Sequence, residues 1–229
     1  MTILGCDVSA AQGTIPSVHW QAIASDKSFV IIEAQVGNDG ANPLFDSYLA
    51  GAAAAGMVTG AYICAACLPD DGVHTNRDPE GQMQLFFTAC KGLGATPGEI
   101  RPVIDLEDPA PEKWAADKVT PAFLEDWTGR AGDKVVALWG VEPIIYGYPF
   151  WFQKAALRKV GQWDLWLAAY GGSRYRTAPP WNTPAQGMPI TLASMLQVSD
   201  GGYRLPNGSP CDESEVYSPI TYANLRGQS

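Results

Sequence analysis

The 229-residue chain has few charged residues, and those it has are mostly of one sign. Charged residues make up 17% of the sequence, and 24 acidic residues outnumber 15 basic ones, which gives a net charge of -9 and a pI of about 4.6. Nucleic acids and anionic membranes both select basic surfaces, so this composition excludes either as a partner. No apolar run approaches the ~18 residues of a membrane span. The composition instead favours a neutral or zwitterionic substrate.

Histidine and cysteine are also scarce, with two and five residues respectively. Cys64-Ala65-Ala66-Cys67 could be combined with His74 and Cys90 into a zinc site, but the second ligand pair lacks the usual spacing. The sequence therefore predicts small buried thiols, no metal and no cofactor. Because the number of cysteines is odd, at least one thiol is unpaired within the chain.

A secretory leader is missing as well. Met1 is followed directly by the strand-like segment 3–8, with no basic or hydrophobic stretch ahead of it. We therefore expect synthesis in a cytoplasm, with any export by another route.

What the sequence does contain is an alternation of short apolar strands with helices. The predicted strands are Ile3–Val8, Phe29–Ala34, Val58–Ile63, Val103–Leu106, Pro143–Tyr146, Asp164–Tyr170, Leu192–Gln197 and Pro210–Val216. The predicted helices are Val18–Ala24, Pro43–Ala55, Pro79–Lys91, a helix from Thr120 to about Trp139 with a break allowed near Gly129–Gly132, and Phe150–Lys159. Apolar strands separated by helices indicate a parallel sheet covered on both faces. Seven or eight such units predict an α/β fold, a (β/α)8 TIM-like barrel in a single domain over residues 1–229.

The fourth predicted strand ends in two carboxylates, Asp105 and Glu107. Residues two apart share a face of a strand, so both side chains point the same way and Leu106 points to the other side. Like charge and partial desolvation raise one of the two pKa values, leaving an acid beside an anion near neutral pH. Cleavage of a glycosidic bond requires that combination. The alternative is that Asp105 caps a turn or the following helix and that Glu107 is solvated.

Polar residues also end most of the other predicted strands. They are Asp7 and Ser9 on the first strand, Tyr146 on the fifth, Tyr170 on the sixth, Gln197 on the seventh and Asp212 on the possible eighth. Barrel enzymes place their chemistry at this rim, so four acidic residues are predicted to converge there. Cys6 and Cys211 flank two of them, on strands that adjoin if the barrel closes, and the sequence leaves open whether the thiols touch.

Further short motifs are distributed along the whole chain in a specific order. They are Gly5–Ser9, Gln12-Gly13, Trp20, Phe29–Ile32, Ala55-Gly56, Gly60–Tyr62, Pro102–Glu107, Pro143–Tyr146, Leu165–Tyr170, Leu196–Asp200 and Cys211-Asp212. In this order and spacing the chain resembles the glycoside hydrolase family 25 lysozymes (muramidases), many of which are phage endolysins or secreted bacterial autolysins. The resemblance implies an irregular (β/α)8 barrel. It also implies hydrolysis of the β-1,4 bond between N-acetylmuramic acid and N-acetylglucosamine in peptidoglycan.

The resemblance also implies roles for individual residues. Glu107 matches the general acid, and Asp105 matches the partner that stabilises positive charge as the bond breaks. Asp7 and Asp212 match the other acidic residues of the groove. The positions that resemble substrate-binding ones are Tyr62, Tyr146, Tyr170 and Gln197.

Four departures from the family pattern fall around the acid pair. The usual Lys-Ala-Thr-Glu-Gly is Glu33–Gly37 here, so one groove carboxylate is missing, and Glu33 is the candidate to replace it from nearby. Where the family usually has Tyr-His-Phe, this chain has Tyr62–Cys64, and where it has Trp-Gln-Tyr, this chain has Leu196–Val198. The usual Asp-x-Asn is replaced by Asp212–Ser214. These changes predict altered subsite walls around an intact acid pair.

The leading hypothesis is a phage-encoded peptidoglycan hydrolase without a separate wall-binding module. Its partner would be the peptidoglycan glycan strand. It would be made in the host cytoplasm and reach the wall at lysis, or it would be carried in the virion beside other virion proteins. A second hypothesis is an inactive barrel that binds glycan or serves as a structural virion protein. A glycosidase for chitin-like or capsular polymers is a third hypothesis. A metal-dependent hydrolase is the least favoured, because neither His19 nor His74 ends a strand.

Overall fold

The structure is a computed structural model that describes residues 3–37, 39–69, 77–108, 113–148, 152, 163–168, 170, 195–216 and 219–227. The strands in these ranges are β1 (Ile3–Val8), β2 (Phe29–Val36), β3 (Gly40–Ala41), β4 (Val58–Ala66), β5 (Val103–Asp108), β6 (Ile144–Gly147), β7 (Asp164–Ala168), β8 (Met195–Arg204) and β9 (Pro210–Val216). The helices are a 3-10 turn (Ala10–Gln12), α1 (Ser17–Asp26), α2 (Phe45–Ala54), α3 (Pro79–Ala89), α4 (Pro121–Trp139) and α5 (Pro219–Leu225).

Eight of these strands close into a barrel. Hydrogen bonding runs in the order β1-β9-β8-β7-β6-β5-β4-β2, and β2 pairs with β1 to complete the ring, while the short β3 is added to β2. The pairings between β1 and β2 and from β2 through β4 to β8 are parallel, so the predicted (β/α)8-like barrel is confirmed.

The expectation of a wholly parallel barrel is wrong at β9, which runs antiparallel to both β8 and β1. Its connection to β8 explains the reversal. Only residues 205–209 lie between the two strands, and a parallel crossover needs about a dozen residues or more. The loop closes as a hairpin, in which the Leu205 amide donates to the Ser209 carbonyl and the Gly208 amide donates to the Leu205 carbonyl.

Both faces of the parallel strands β2, β6 and β7 are largely buried, as their continuous apolar sequences predict. On β2, Val30 and Ile32 pack outward under the helices, whereas Phe29 and Ile31 pack into the barrel interior. This two-residue alternation carries over to β5, where Ile104 packs outward and Asp105 points inward at the open end. The inner layer therefore forms the floor of the cleft at that end.

The predicted helices are present with shifts of a few residues where the structure describes them. Thr120 caps α4 by accepting a hydrogen bond from the Phe123 amide at 3.1 Å. The helix runs unbroken through Gly129–Gly132. Gly132 leaves room for the Trp163 ring, since a Cβ at residue 132 would lie 2.0 Å from that ring. No helix among the described residues has the length and apolarity to cross a membrane. The predicted helix at 150–159 falls outside the described residues apart from Phe152, and residues 192–194 of the predicted seventh strand and His74 also fall outside them.

Candidate active site

A cleft of about 230 Å³ opens at the end of the barrel where the parallel strands terminate. It is lined by Asp7, Tyr62, Asp105, Glu107, Tyr146, Tyr148, Trp166, Tyr170, Gln197 and Asp212. These residues include all four predicted catalytic carboxylates and four of the five predicted substrate-binding residues. None of the described residues that line the cleft is basic, so protons and amide or hydroxyl donors must balance the acidic charge.

The reversed strand β9 explains how Asp212 reaches this rim. Asp212 is near the beginning of β9, and an antiparallel strand begins where its parallel neighbours end. The register places Asp212 directly opposite Asp7, which is near the end of β1. The sequence placed Asp212 at the correct rim but on a strand of the wrong direction.

Asp105 and Glu107 form a hydrogen-bonded carboxyl pair on β5. Both line the cleft, and Asp105 is only 5% exposed, whereas Glu107 is more open. Burial raises the pKa of Asp105 well above its usual range, and the negative charge of Glu107 and its hydrogen bond raise that pKa further. The raised pKa thus lies on Asp105, while the resemblance assigns proton donation to Glu107. Two groups coupled this closely titrate as a unit, so the raised pKa belongs to the pair rather than to Asp105 alone.

The buried amide of Gln197 connects the two sides of the cleft. Its Oε1 accepts hydrogen bonds from the hydroxyls of Tyr146 at 2.6 Å and Tyr170 at 2.9 Å. Its Nε2 donates to Asp7 at 3.1 Å and to Asp212 at 3.2 Å. One neutral side chain therefore orients two phenols and two carboxyl groups.

Asp7 and Asp212 form a second acidic pair. Burial raises the pKa of Asp7 to about 8, the nearby Asp212 and Glu107 raise it as well, and the hydrogen bond from Gln197 partly offsets the rise. The Gly201 amide donates to Asp212. Because its pKa is about 8, Asp7 is mostly protonated at neutral pH. Asp212 accepts hydrogen bonds from the Gln197 side-chain amide and from the Gly201 backbone amide.

Aromatic rings form the wall beside the acid pair. Tyr148 and Tyr170 meet edge to face with centroids 6.2 Å apart, and Tyr146 packs on Trp166 at 4.6 Å. The sequence reasoning missed Tyr148 and Trp166 as cleft residues. Two-residue alternation from Tyr146 identifies Tyr148, and the same alternation along β7 links Trp166 to Ala168 on the inner face.

Glu33 stands behind Tyr62 rather than among the residues that line the cleft. The Tyr62 hydroxyl donates to Glu33 at 3.5 Å, and burial raises the pKa of Glu33. A β-bulge follows between Glu33 and Gln35, after which Val36 is level with Cys64. Any effect of Glu33 on substrate binding would therefore act through the Tyr62 ring.

The five cysteines form no disulfide. Cys6 and Cys211 do meet: their thiols hydrogen-bond, which raises the pKa of Cys211, and Cys211 Sγ also donates to the Asp7 carbonyl at 2.9 Å. Cys67 is fully buried in the outer layer, whereas Cys64 is partly exposed on the cleft side of β4. The C-x-x-C segment thus places its two thiols in different environments, which explains why it is not a paired ligand motif.

A barrel whose rim gathers four carboxylates and an aromatic wall is typical of enzymes that cleave glycosidic bonds. The chain belongs to the glycosyl hydrolases family 25, whose family model matches residues 6–187. As a member of that family it is a glycoside hydrolase.

Solved structures share this fold over essentially the whole chain. A family 25 lysozyme from Aspergillus fumigatus has a TM-score of 0.79 at 20% identity, with 100% of both chains covered. A muramidase from Trichobolus zukalii has a TM-score of 0.77 at 21% identity, with 99% of this chain and 100% of that chain covered. The catalytic domain of an endolysin from a bacteriophage of Listeria monocytogenes has a TM-score of 0.69 at 21% identity, with 100% and 98% covered. At these identities the similarity establishes the fold. No curated protein sequence matches the chain.

Proposed function

We propose that this chain is an N-acetylmuramidase and that residues 1–229 form its catalytic barrel. Its substrate is the glycan strand of bacterial peptidoglycan, and the bond it cleaves is the β-1,4 bond between N-acetylmuramic acid and N-acetylglucosamine. The observation that carries the proposal is the hydrogen-bonded pair of Asp105 and Glu107 at the floor of an aromatic-walled cleft. Family membership supports a glycosidic substrate.

Glu107 is the general acid in this proposal, because it is the more exposed carboxyl of the pair and can reach the glycosidic oxygen. In the reactive form Glu107 is protonated and Asp105 is ionised. As the bond to the anomeric carbon breaks, Glu107 transfers its proton to the leaving oxygen, and the Asp105 carboxylate stabilises the positive charge that develops on the sugar. Glu107 then accepts a proton from the attacking water.

The spacing of the two carboxyl groups supports a retaining outcome. One oxygen of each lies within 4.8 Å of the other, whereas inverting enzymes separate their carboxyl groups by about 6.5–9.5 Å to admit water between them. In a retaining reaction the first displacement is made by a carboxylate or by the acetamido group of the substrate itself.

The wall of the cleft suits a neutral sugar ring. Tyr170 is 44% exposed at the mouth, and Tyr148 stands against it, so one ring face remains open for stacking. Gln197 fixes the phenol hydroxyls of Tyr146 and Tyr170, which holds the wall in place before substrate arrives. Binding of an uncharged ring also avoids repulsion from the acidic floor.

Hydrolysis of purified peptidoglycan by the wild type and by Glu107→Gln tests the assignment. We expect wild-type protein to release reducing N-acetylmuramic acid ends, identified by mass spectrometry, and the variant to lose ~10²-fold or more of the rate. Asp133→Asn, which removes one exposed carboxylate on α4, is the matched control and should retain the wild-type rate. Equal rates for wild type and Glu107→Gln would refute the role of Glu107. Glycan binding without hydrolysis in all three proteins would instead favour the inactive-barrel hypothesis.

The proposed origin is a phage, with the enzyme made in the host cytoplasm and admitted to the wall at lysis, or carried in the virion beside other virion proteins. Similarity to a solved endolysin domain supports this origin. Expressed in a bacterial cytoplasm, the wild type should leave cells intact until the membrane is permeabilised and then lyse them. Glu107→Gln should not lyse them under either condition. Lysis without permeabilisation would contradict dependence on a separate release step.

A further inference from the structure

Cys64 places a thiol beside the acid pair. It lies on β4 directly opposite Asp105 in the parallel register with β5. One ligand atom from each of Cys64, Asp105 and Glu107 lies within 4.8 Å of the other two. A sulfur and two carboxylate oxygens thus lie close together beside the floor of the cleft.

Asp105 supplies a second, independent observation. Its Oδ1 is fully buried and has no hydrogen-bond partner among the described residues, although the residue lines the cleft and is only 5% exposed. A buried carboxylate oxygen without a partner costs about 1–3 kcal/mol or more, so such atoms normally have a donor or a cation beside them. The unsatisfied oxygen therefore has a lone pair available for a Lewis acid.

We propose that Cys64, Asp105 and Glu107 bind one thiophilic divalent cation, with Zn²⁺ as the best match, and that this ion inhibits hydrolysis. Zn²⁺ accepts thiolate sulfur at about 2.3 Å and carboxylate oxygen at about 2.0–2.2 Å in a tetrahedral arrangement. Ligand atoms in such a tetrahedron are about 3.3–3.8 Å apart, so separations that all lie within 4.8 Å need to close by no more than about 1.5 Å. Water at the mouth of the cleft completes the fourth position.

The mixed ligand set determines which cation binds. Mg²⁺ and Ca²⁺ prefer six or more oxygen ligands, and a sulfur in the set disfavours both. Zn²⁺ and Cd²⁺ accept sulfur together with carboxylate oxygen. Cys64 therefore converts an acid pair, which alone would have little metal selectivity, into a site for a thiophilic ion.

Inhibition follows from competition between the cation and the proton. A metal ion coordinates the deprotonated carboxylates and the thiolate, so its binding displaces the proton that Glu107 donates to the substrate. It also blocks the floor of the cleft where the sugar must approach. This part of the inference rests on the proposed muramidase function, whereas the binding site itself does not.

Binding can be measured without any substrate. Isothermal titration of metal-free protein with ZnCl2 should show one ion per chain, and titration with CoCl2 should produce a thiolate-to-cobalt charge-transfer absorption. Cys64→Ser should abolish that absorption and weaken Zn²⁺ binding by about 100-fold or more. Cys67→Ser is the matched control, because Cys67 is a buried thiol of the outer layer, and it should bind both ions as the wild type does. Equal Zn²⁺ affinity for wild type and Cys64→Ser would overturn the site, and so would the absence of the absorption in wild type.

A separate activity measurement tests the inhibitory effect. Zn²⁺ should slow peptidoglycan hydrolysis by wild type at least 10-fold at saturation, and EDTA should restore the rate. Each variant is compared with its own metal-free rate, and Cys64→Ser should need about 100-fold more Zn²⁺ for half-maximal inhibition. Half-maximal inhibition of Cys64→Ser at the same Zn²⁺ concentration as wild type would overturn the inhibitory role. A wild type that binds Zn²⁺ through Cys64 but never hydrolyses peptidoglycan would refute the proposed function and leave the metal site intact.

Discussion

Asp7→Asn should stabilise the protein in a way that depends on pH. The pKa of Asp7 in the folded chain is about 8, against 3.8 for an ordinary aspartate. Between these two values the folded state holds a proton that the unfolded state has lost, so the stability of the wild type falls as pH rises through this window. Asparagine has no proton to lose, keeps the shape of the side chain and can still accept the Gln197 amide hydrogen bond. The variant therefore does not lose stability as pH rises through this window.

The magnitude follows from the two pKa values. At about 1.4 kcal/mol for each pH unit, the interval from 3.8 to about 8 sets an upper limit of about 6 kcal/mol. Asp7 is partly open to the cleft, where solvent screens its charge, so we expect a gain of about 2–3 kcal/mol above pH ~8 and almost none near pH ~4.

Urea denaturation followed by tryptophan fluorescence at several pH values from about 4.5 to 9 measures this difference. Asp133→Asn is the control for a lost surface charge and should stay within about 0.5 kcal/mol of wild type throughout. A difference between Asp7→Asn and wild type that does not change with pH, or a less stable variant at about pH 9, would show that Asp7 is not held protonated by its surroundings.

Three further changes test other parts of the structure. Gln197→Ala removes the amide that bridges both sides of the cleft. We expect the free energy of unfolding, measured by urea denaturation, to fall by about 2–4 kcal/mol and hydrolysis to slow. Unchanged stability would contradict the bridging role. Tyr148→Ala should raise KM for glycan about 10-fold in steady-state kinetics, whereas Tyr148→Phe should not, because stacking uses the ring. Equal KM values for the two variants would show that the hydroxyl is what matters. Gly132→Ala forces a Cβ into the Trp163 ring and should cost about 1–3 kcal/mol, and a thermal melt equal to wild type would show that α4 shifts freely. In the native protein a thiol reagent should modify Cys64 first, detected by peptide mass spectrometry. The four buried cysteines that should react only on unfolding are Cys6, Cys67, Cys90 and Cys211.

Two-residue alternation made much of the site predictable from the sequence. It predicted that Asp105 and Glu107 share a face, and the cleft lining shows that they do. The same rule extends from Tyr146 to Tyr148, so that residue could also have been found. Strand direction was not encoded in the same alternation. β9 is more polar than the parallel strands, and the short loop after β8 is the feature that reveals that it turns back.

Contacts between distant parts of the chain were beyond a sequence pattern. Gln197 meets Asp7 across 190 residues, and no local feature of either segment indicates that one amide serves both acidic residues of β1 and β9. Likewise, the departure at Cys64 could be read from the sequence as a changed wall. Its position opposite Asp105 emerges only from the register of β4 on β5. Closure of the barrel sets both relations, which is why the residues that line the cleft were largely predictable and these long-range contacts between them were not.

The two acidic pairs explain how a cleft with four carboxylates operates without a basic residue in its described lining. Burial and neighbouring carboxylates raise the pKa of Asp105 well above its usual range and that of Asp7 to about 8. The described lining therefore carries less negative charge near neutral pH than four ordinary carboxyl groups would. In the proposed mechanism the remaining negative charge faces the positive charge that forms on the sugar, and no lysine or arginine among the described lining residues cancels it. A basic residue would relieve the crowding of the carboxylates in the resting protein, but it would lower the pKa of the pair and remove the proton that the reaction needs. The lack of basic side chains in the described lining is thus consistent with the proposed chemistry.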